Sequence, residues 1–180
     1  MHPRTRELFD HLDRNHAALK AAVVAVPEAQ QSVRPAPDRW SVAEVVQHLA
    51  ILETRISKTL ADKLAEARAA GLGPEHDVTP VIDPADLAML LDRSRRATAP
   101  DPAQPKPGVT TAAAMATLDG ARARLRDVVL GGDGLALGNI AFPHPLFGPL
   151  TFYRWVVFMG GHEARHTAQI REIAAALPSA

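Results

Sequence analysis

Four long stretches of this chain place apolar residues three and four positions apart, which is the spacing of one face of an α-helix. The pattern predicts long helices over about residues 3–25, 41–70, 110–130 and 151–177. A short helix is predicted from Pro84 to Arg96, because Asp83 can cap its start and proline suits a first helical turn. No segment has a convincing strand pattern. Amphipathic helices of this length bury their apolar faces against one another, and the predicted fold is an all-α four-helix bundle with a short extra helix.

The connections between these helices are long and rich in proline and glycine. Residues 99–108 read APDPAQPKPG, and four prolines in ten residues exclude a regular helix or a central strand, so an exposed loop is predicted. Residues 135–149 read LALGNIAFPHPLFGP, an apolar stretch interrupted by glycine and proline, and are predicted to form an ordered loop on the bundle. Connections of this length can cross over the bundle, so long crossover loops are predicted and a simple up-down-up-down order of the helices is not assured.

Composition narrows the range of functions. The chain has 180 residues, 47% of them hydrophobic, which fits a single domain over residues 1–180 with a sizeable core. Its 20 basic residues are balanced by 20 acidic ones without a basic run, so we expect no nucleic-acid partner. No stretch has the length and apolar character of a membrane span, and the polar N-terminal region lacks a signal-peptide pattern, so a soluble cytoplasmic protein is expected. Cysteine is absent, and any transition-metal site must therefore use histidine and carboxylate.

The sequence GGHEARHTAQI, residues 160–170, places two histidines in the apolar stripe of the last helix. At 100° per residue, His162 and His166 fall in the same narrow sector as Trp155, Met159 and Ile170. An unpaired buried imidazole costs on the order of 1–3 kcal/mol, so two of them one turn apart need a shared reason. Rings at i and i+4 can direct their nitrogens at one metal ion, and the alternative is two core histidines satisfied by hydrogen bonds. The spacing of the two histidines therefore favours a metal site over two hydrogen-bonded core histidines.

A stable metal site needs at least one further protein ligand, and the residues alone leave several candidates, carboxylates among them. His48 lies mid-helix on the flank of the second apolar stripe and is favoured, while His16 also lies near an apolar face. His144 lies in a loop between prolines, where it can cap or line a site. The remaining histidines are predicted at the surface: His2, His11 and His76.

The same residues match H-E-x-x-H, the signature of zinc proteases, but the context of a protease is missing. The segment after His166, TAQIREIAAALPSA, holds no third histidine and is too short to form another helix that returns to the site. Glu163 lies at the edge of the apolar stripe. It is a candidate general base or a hydrogen-bond partner of the ligands, and a solvated surface charge is the alternative. A protease is therefore the least favoured function.

Two segments resemble the DinB-like superfamily, which includes YfiT-type proteins regarded as metal-dependent hydrolases. They are RPAPDRWSVAEVVQHLAILE, residues 34–53, and PHPLFGPLTFYRWVVFMGGHEARHTAQI, residues 143–170. The shared pattern is a Trp-Ser-capped helix that carries a histidine, followed by a late helix with H-x-x-x-H. The resemblance implies a four-helix bundle with a long crossover and a three-histidine site for a divalent metal such as zinc or nickel. Matching motif to motif gives His48, His162 and His166 as the ligands.

The resemblance does not fix a reaction, because one fold can host many chemistries. It implies homodimers and, in some relatives, a low-molecular-weight thiol such as bacillithiol or mycothiol in transferase or isomerase reactions. The first hypothesis is a metal-dependent enzyme acting on a small molecule, as a hydrolase or a thiol-dependent transferase. The second is a non-catalytic metal-binding or stress-response module.

Three residues beside the histidine pair have open roles. Gly160 and Gly161 each cost about 1 kcal/mol in a helix relative to alanine, so they either let a neighbouring helix approach or leave space for a ligand. Gln169 lies on the side of the two histidines, where it can hydrogen-bond a ligand or a bound water.

Overall fold

The computed structural model describes residues 1–94 and 99–178. Its α-helices are, in chain order, α1 (Pro3–Val24), α2 (Val42–Ala69), α3 (Pro84–Leu91), α4 (Thr111–Gly131) and α5 (Phe152–Ala176). Two short strands, β1 (Ala141–His144) and β2 (Gly148–Thr151), precede α5. The four long helices begin and end within about one residue of the predicted positions.

The four long helices form a bundle of two closely packed pairs. α2 packs along α4 and α1 packs along α5, while further contacts join α2 to α5 and α1 to α4. The short helix α3 packs on α5. The predicted all-α four-helix bundle with a short extra helix is thus confirmed. Among the helices of the described ranges, none combines the length and the apolar character that a bilayer crossing requires. The single-domain organisation over residues 1–180 stays a prediction.

Side-chain caps determine where α2 and α3 begin. At α2, the Glu44 amide donates to the Ser41 hydroxyl at 3.3 Å and the Ser41 amide donates to the Glu44 carboxylate at 2.8 Å, which is the predicted capping box. Asp83 caps α3 as predicted. Because the cap of α2 fixes the start of the helix, it also fixes the face from which His48 leaves it two turns later.

The bundle interior contains two apolar clusters with polar residues between them along the helices. The first cluster includes Leu8, Leu12, Leu60, Leu125 and Phe152. The second includes Leu19, Val42, Leu49, Leu118 and Ile170. Buried polar residues occupy the intervening turns of the long helices, namely His11, Glu53, Arg122, Glu163 and His166. Hydrophobic burial alone favours uninterrupted apolar stripes, so this polar layer marks the level of the bundle at which a functional site is expected.

A short hairpin occupies part of the segment predicted to be an ordered loop, where no strand pattern was recognised. β1 and β2 form an antiparallel hairpin in which Ala141 pairs with Thr151 and Pro143 pairs with Pro149. Its loop covers residues 145–147, and Gly148 follows at φ +69°, the left-handed conformation that commonly closes a three-residue hairpin loop. The prolines concealed the hairpin because they cannot donate to a β ladder. They are tolerated here because both strands of a two-stranded sheet are edge strands.

The short helix ends earlier than predicted. α3 stops at Leu91, and Asp92 already has an extended backbone. The Arg93 side chain then binds the carboxylate of Glu172 on α5, with its Nε 2.8 Å from one oxygen. The end of the predicted helix, up to Arg96, falls on residues 95–96, which lie outside the described residues.

Candidate metal centre

Three histidines from two helices meet inside the bundle. His48 of α2 and His162 and His166 of α5 each offer one ring nitrogen, and the three nitrogens lie within 4.8 Å of one another. The ring centroid of His48 is 5.3 Å from that of His162 and 5.0 Å from that of His166. On α5, the two Nε2 atoms are 3.1 Å apart. Within residues 1–94 and 99–178, no other group of three histidine or acidic side chains is compact enough to hold a metal ion.

His48 is oriented by the proline-rich segment that precedes α4. The side chain is buried, and its Nδ1 lies 2.8 Å from the carbonyl oxygen of Ala103. A carbonyl oxygen can only accept, so Nδ1 carries the proton and Nε2 keeps a free lone pair. Ala103 ends a short 3₁₀ helix (Asp101–Ala103) and is completely buried, although the sequence predicted an exposed loop here. This segment therefore faces the three histidines.

His166 is oriented from within its own helix. Its Nδ1 lies 2.8 Å from Oε1 of Gln169, one turn further along α5. The amide oxygen accepts, so the proton again lies on Nδ1 and Nε2 is available. Gln169 thus contacts a candidate metal-binding histidine directly. The helical spacing of three residues allows this contact, but the sequence alone does not show it.

His162 lacks a comparable partner. Its Nδ1 is buried and has no hydrogen-bond partner in the part of the chain that the structure describes. The ring stacks instead on Phe158, one turn earlier, with ring centroids 5.3 Å apart. The three rings therefore meet at one point but are not held in the same way.

Burial keeps all three rings neutral at neutral pH. Desolvation lowers the pKa of His48, and it lowers the pKa of His166 to about 3, with the nearby His48 acting in the same direction. Burial, followed by the neighbouring His166 and His48, also holds the pKa of His162 well below its ordinary value. Only the neutral imidazole has a lone pair for a metal ion, so the environment favours the ligand form of each ring.

The spacing of the α5 pair and the donor type of all three rings fit a divalent transition metal. Two nitrogens at tetrahedral angles, each about 2.1 Å from a zinc ion, are roughly 3.4 Å apart, close to the 3.1 Å between the two Nε2 atoms of α5. Imidazole nitrogen suits ions such as zinc and nickel, whereas calcium and magnesium prefer oxygen ligands. The residues present therefore fit the kind of ion that the family resemblance implied.

The hairpin places a fourth histidine one ring away from the centre. The ring of His144 lies 4.7 Å from that of Phe158, which in turn stacks on His162. His144 does not belong to the compact group of three, and its Nδ1 accepts from the amide of Leu146 at 3.1 Å, so its predicted role of lining the site stays a prediction. On the other side, the ring of Trp40 lies 4.9 Å from that of His48.

Residues 11–170 match the sequence profile of the DinB superfamily. The chain belongs to the DinB superfamily. The match covers most of the chain and includes both helices that carry the three histidines, and the resemblance inferred from the two motifs is confirmed.

This DinB-superfamily protein is similar to one curated protein in sequence and to one solved structure in fold. The Uncharacterized protein YuaE of Bacillus subtilis (strain 168) is 28% identical over 141 residues, which are 78% of this chain and 80% of that protein. The crystal structure of TT2238, a four-helix bundle protein, matches with a TM-score of 0.60 at 20% identity, covering 93% of this chain and 98% of that chain. At this identity the second comparison concerns the fold alone.

The glutamate of the H-E-x-x-H motif belongs to a separate ionic network. Glu163 is 1% exposed, so the surface-charge alternative is wrong. One carboxylate oxygen lies 2.9 Å from Arg122, and the other lies 2.7 Å from Nδ1 of His16. Arg122 also contacts both oxygens of Glu53, at 2.5 and 3.0 Å, and donates to the carbonyl of Leu12 at 3.0 Å. Sequence reasoning missed Arg122 because an arginine beside an apolar stripe ordinarily extends into solvent.

His11 and the two glycines explain how closely the helices approach. His11 is buried, so its predicted surface position is wrong, and its Nε2 lies 3.0 Å from the carbonyl of Val157. A Cβ atom at Gly160 would lie 2.4 Å from the His11 ring. At Gly161 it would lie 2.9 Å from Leu90 of α3. Of the two roles left open for the glycines, the structure shows the close approach of neighbouring helices.

The other candidate histidines lie outside the compact group. His16 uses its second ring nitrogen to contact Asp119 at 2.7 Å. His2 accepts from the amide of Arg4 and caps α1. His76 is exposed, as predicted.

Proposed function

We propose that this protein binds one divalent metal ion, zinc or nickel, through His48, His162 and His166, and that it uses the ion in an enzymatic reaction on a small molecule. The observation that carries the proposal is the convergence of three ring nitrogens within 4.8 Å, from helices far apart in the chain. Each ring is neutral and largely shielded from water. Core packing alone does not explain why three histidines are buried next to one another.

The ligand set determines what such a centre can do. Three neutral imidazoles would leave the charge of a divalent ion uncompensated, so the bound ion would act as a Lewis acid that polarises a carbonyl or acidifies a water or a thiol. The chain itself supplies orientation and shielding. The Ala103 carbonyl and the Gln169 amide orient two of the rings, and the aromatic rings of Trp40 and Phe158 pack against His48 and His162.

Two reaction classes suit this arrangement. One is hydrolysis of a small ester or amide, and the other is transfer to or from a low-molecular-weight thiol. Because the chain has no cysteine, any thiol chemistry must use a thiol from outside the protein. The proposal includes a homodimer, as the family resemblance implied, and a cytoplasmic location, as expected from the sequence pattern.

A peptidase is not part of the proposal. In H-E-x-x-H proteases the glutamate acts as a general base beside the metal. Here both carboxylate oxygens of Glu163 are engaged by Arg122 and His16. Proton transfer by Glu163 would require that these buried contacts break, so the general-base role stays a prediction that this arrangement does not favour.

A non-catalytic metal-binding or stress-response module is the second candidate. It is favoured by the small exposed fractions of His48 and His166, which are 4% and 8%. Closed sites are typical of structural metal ions, whereas a catalytic site keeps one coordination position open to substrate.

Metal analysis followed by a substrate screen distinguishes the candidates. Elemental analysis of the purified protein should give about one divalent ion per chain. Metal-loaded and metal-free protein are then assayed with small esters and amides, and with bacillithiol and mycothiol as thiol donors. Turnover that requires the metal supports the enzyme, and bound metal without turnover favours the module. Absence of metal contradicts both. Casein should not be digested, and metal-dependent cleavage of casein would restore the protease hypothesis.

A further inference from the structure

The three histidines of the centre differ in how their second ring nitrogen is supported. Nδ1 of His48 donates to Ala103 at 2.8 Å, and Nδ1 of His166 donates to Gln169 at 2.8 Å. Nδ1 of His162 is buried without an acceptor within residues 1–94 and 99–178. Acceptors of this kind fix the tautomer and the orientation of a metal-binding histidine and make its other nitrogen a better ligand. Two of the three rings therefore have this support and one lacks it.

The missing acceptor affects which tautomer His162 adopts. His166 carries its proton on Nδ1, so its Nε2 is a hydrogen-bond acceptor. That atom lies 3.1 Å from Nε2 of His162, within hydrogen-bond range. In the metal-free protein the proton of His162 therefore lies on Nε2. To offer Nε2 to a metal, His162 must carry its proton on Nδ1, a buried atom with no acceptor among the described residues.

As a residue, His162 is also the most exposed of the three, although its Nδ1 atom is buried. The residue is partly exposed, whereas His48 and His166 are buried. Its stacking partner Phe158 is itself only partly buried. An aromatic contact restricts the plane of the ring but is less directional than a hydrogen bond.

We propose that the centre is asymmetric, with His48 and His166 as firmly held ligands and His162 as the weakly held one. This inference rests on the proposed metal site and adds to it a ranking of the three ligands. It also makes Gln169 a positioning residue, which acts on the metal through His166.

Metal affinities of three single variants test the asymmetry. Metal-free His48→Ala, His162→Ala and His166→Ala are titrated with Co²⁺ and Zn²⁺ in competition with a chromophoric chelator, and circular dichroism verifies their helix content. Because outer partners change metal affinity by about 10- to 100-fold, His162→Ala should retain at least a roughly 10-fold higher affinity than either of the other variants. Equal losses in the three variants, or the largest loss in His162→Ala, would overturn the inference. Absence of metal binding by the unsubstituted protein would instead count against the proposed function itself.

Variants of Gln169 provide a second test that leaves all three ligands in place. Gln169→Leu removes the acceptor and should weaken Co²⁺ affinity about 10- to 100-fold and shift the Co²⁺ absorption bands. Gln169→Glu keeps an acceptor and should restore both. Gln30→Leu is the matched control, since Gln30 donates to the carbonyl of Pro178 near the surface, and it should leave the affinity unchanged. If Gln169→Leu binds Co²⁺ as tightly as the unsubstituted protein, the hydrogen bond from His166 to Gln169 does not strengthen His166 as a ligand. The inference then fails.

Discussion

The carboxylate of Glu163 lies 2.9 Å from the guanidinium of Arg122, although Glu163 directly follows a candidate metal ligand in the chain. Arg122 of α4 also binds Glu53 of α2 and the Leu12 carbonyl of α1. This one buried cation therefore links its own helix to the other three long helices. Burial of a charge costs several kcal/mol unless partners of this kind surround it. The network therefore selects one rotation of α5 about its axis, and with it the direction in which the two histidines of α5 point.

Removal of the buried cation should destabilise the fold strongly. Arg122→Leu keeps side-chain volume but leaves the carboxylates of Glu53 and Glu163 buried without their cation. We expect the free energy of unfolding to fall by about 3–5 kcal/mol, measured by urea denaturation of the metal-free protein. Lys58→Ala, which breaks the exposed pair of Lys58 with Asp62, should cost less than about 1 kcal/mol. Similar losses in the two variants would contradict the role assigned to Arg122.

The close approach of α1 to α5 predicts opposite effects for alanine at two helical glycines. Gly160→Ala would place a Cβ atom 2.4 Å from the ring of His11, so it should destabilise the protein by about 1–3 kcal/mol. Gly120→Ala in α4 meets only the flexible end of Arg124, at 3.6 Å, and should stabilise the protein by up to about 1 kcal/mol. Thermal unfolding of the two variants measures the difference. A stabilised Gly160→Ala would show that the two helices can separate at little cost.

The pH dependence of stability should show the contribution of His16, which contacts Glu163 and Asp119. Burial lowers the pKa of His16, but its hydrogen bonds to these two carboxylates outweigh burial and the charge of Arg122, so the pKa is raised. Lys20 also pairs with Asp119, at 2.8 Å. Because the folded-state pKa exceeds the unfolded value of about 6.5, the stabilisation is complete below pH 6.5 and is lost as the pH rises through the folded-state pKa.

His16→Gln tests this dependence by comparison with the unsubstituted protein. The difference in unfolding free energy between the two should shrink as the pH is raised from about 6 to about 9, as measured by urea titrations at each pH. A difference that grows with pH would mean that His16 is neutral in the folded protein.

Metal content should depend on the histidines of the centre and not on a histidine elsewhere. His166→Ala removes one of three ring nitrogens that lie within 4.8 Å of one another and should abolish stoichiometric binding. His76 is exposed and outside this group, so His76→Ala should retain about one ion per chain. Elemental analysis after purification in metal-supplemented medium gives the comparison. Retained metal in His166→Ala would exclude the proposed centre.

Local patterns in the sequence determined the helices of the bundle and the histidine pair within it. The apolar periodicity and the capping box of Ser41 and Glu44 depend on neighbours within a few residues, so they can be read without a fold. His162 and His166 were identified for the same reason, because four residues is one helical turn. Their partner His48 lies on another helix. The residues alone favoured it among several candidates, and only the family resemblance singled it out.

Only the tertiary structure decided how these residues are supported. Ala103 is adjacent to His48, and Arg122 to Glu163, because helices and connections far apart in the chain pack together. A one-dimensional pattern assigns each residue to a helix face but not to a neighbour on another element. It therefore placed Glu163 only at the edge of an apolar stripe. It could not show that Arg122 of α4 would bind the buried carboxylate of Glu163.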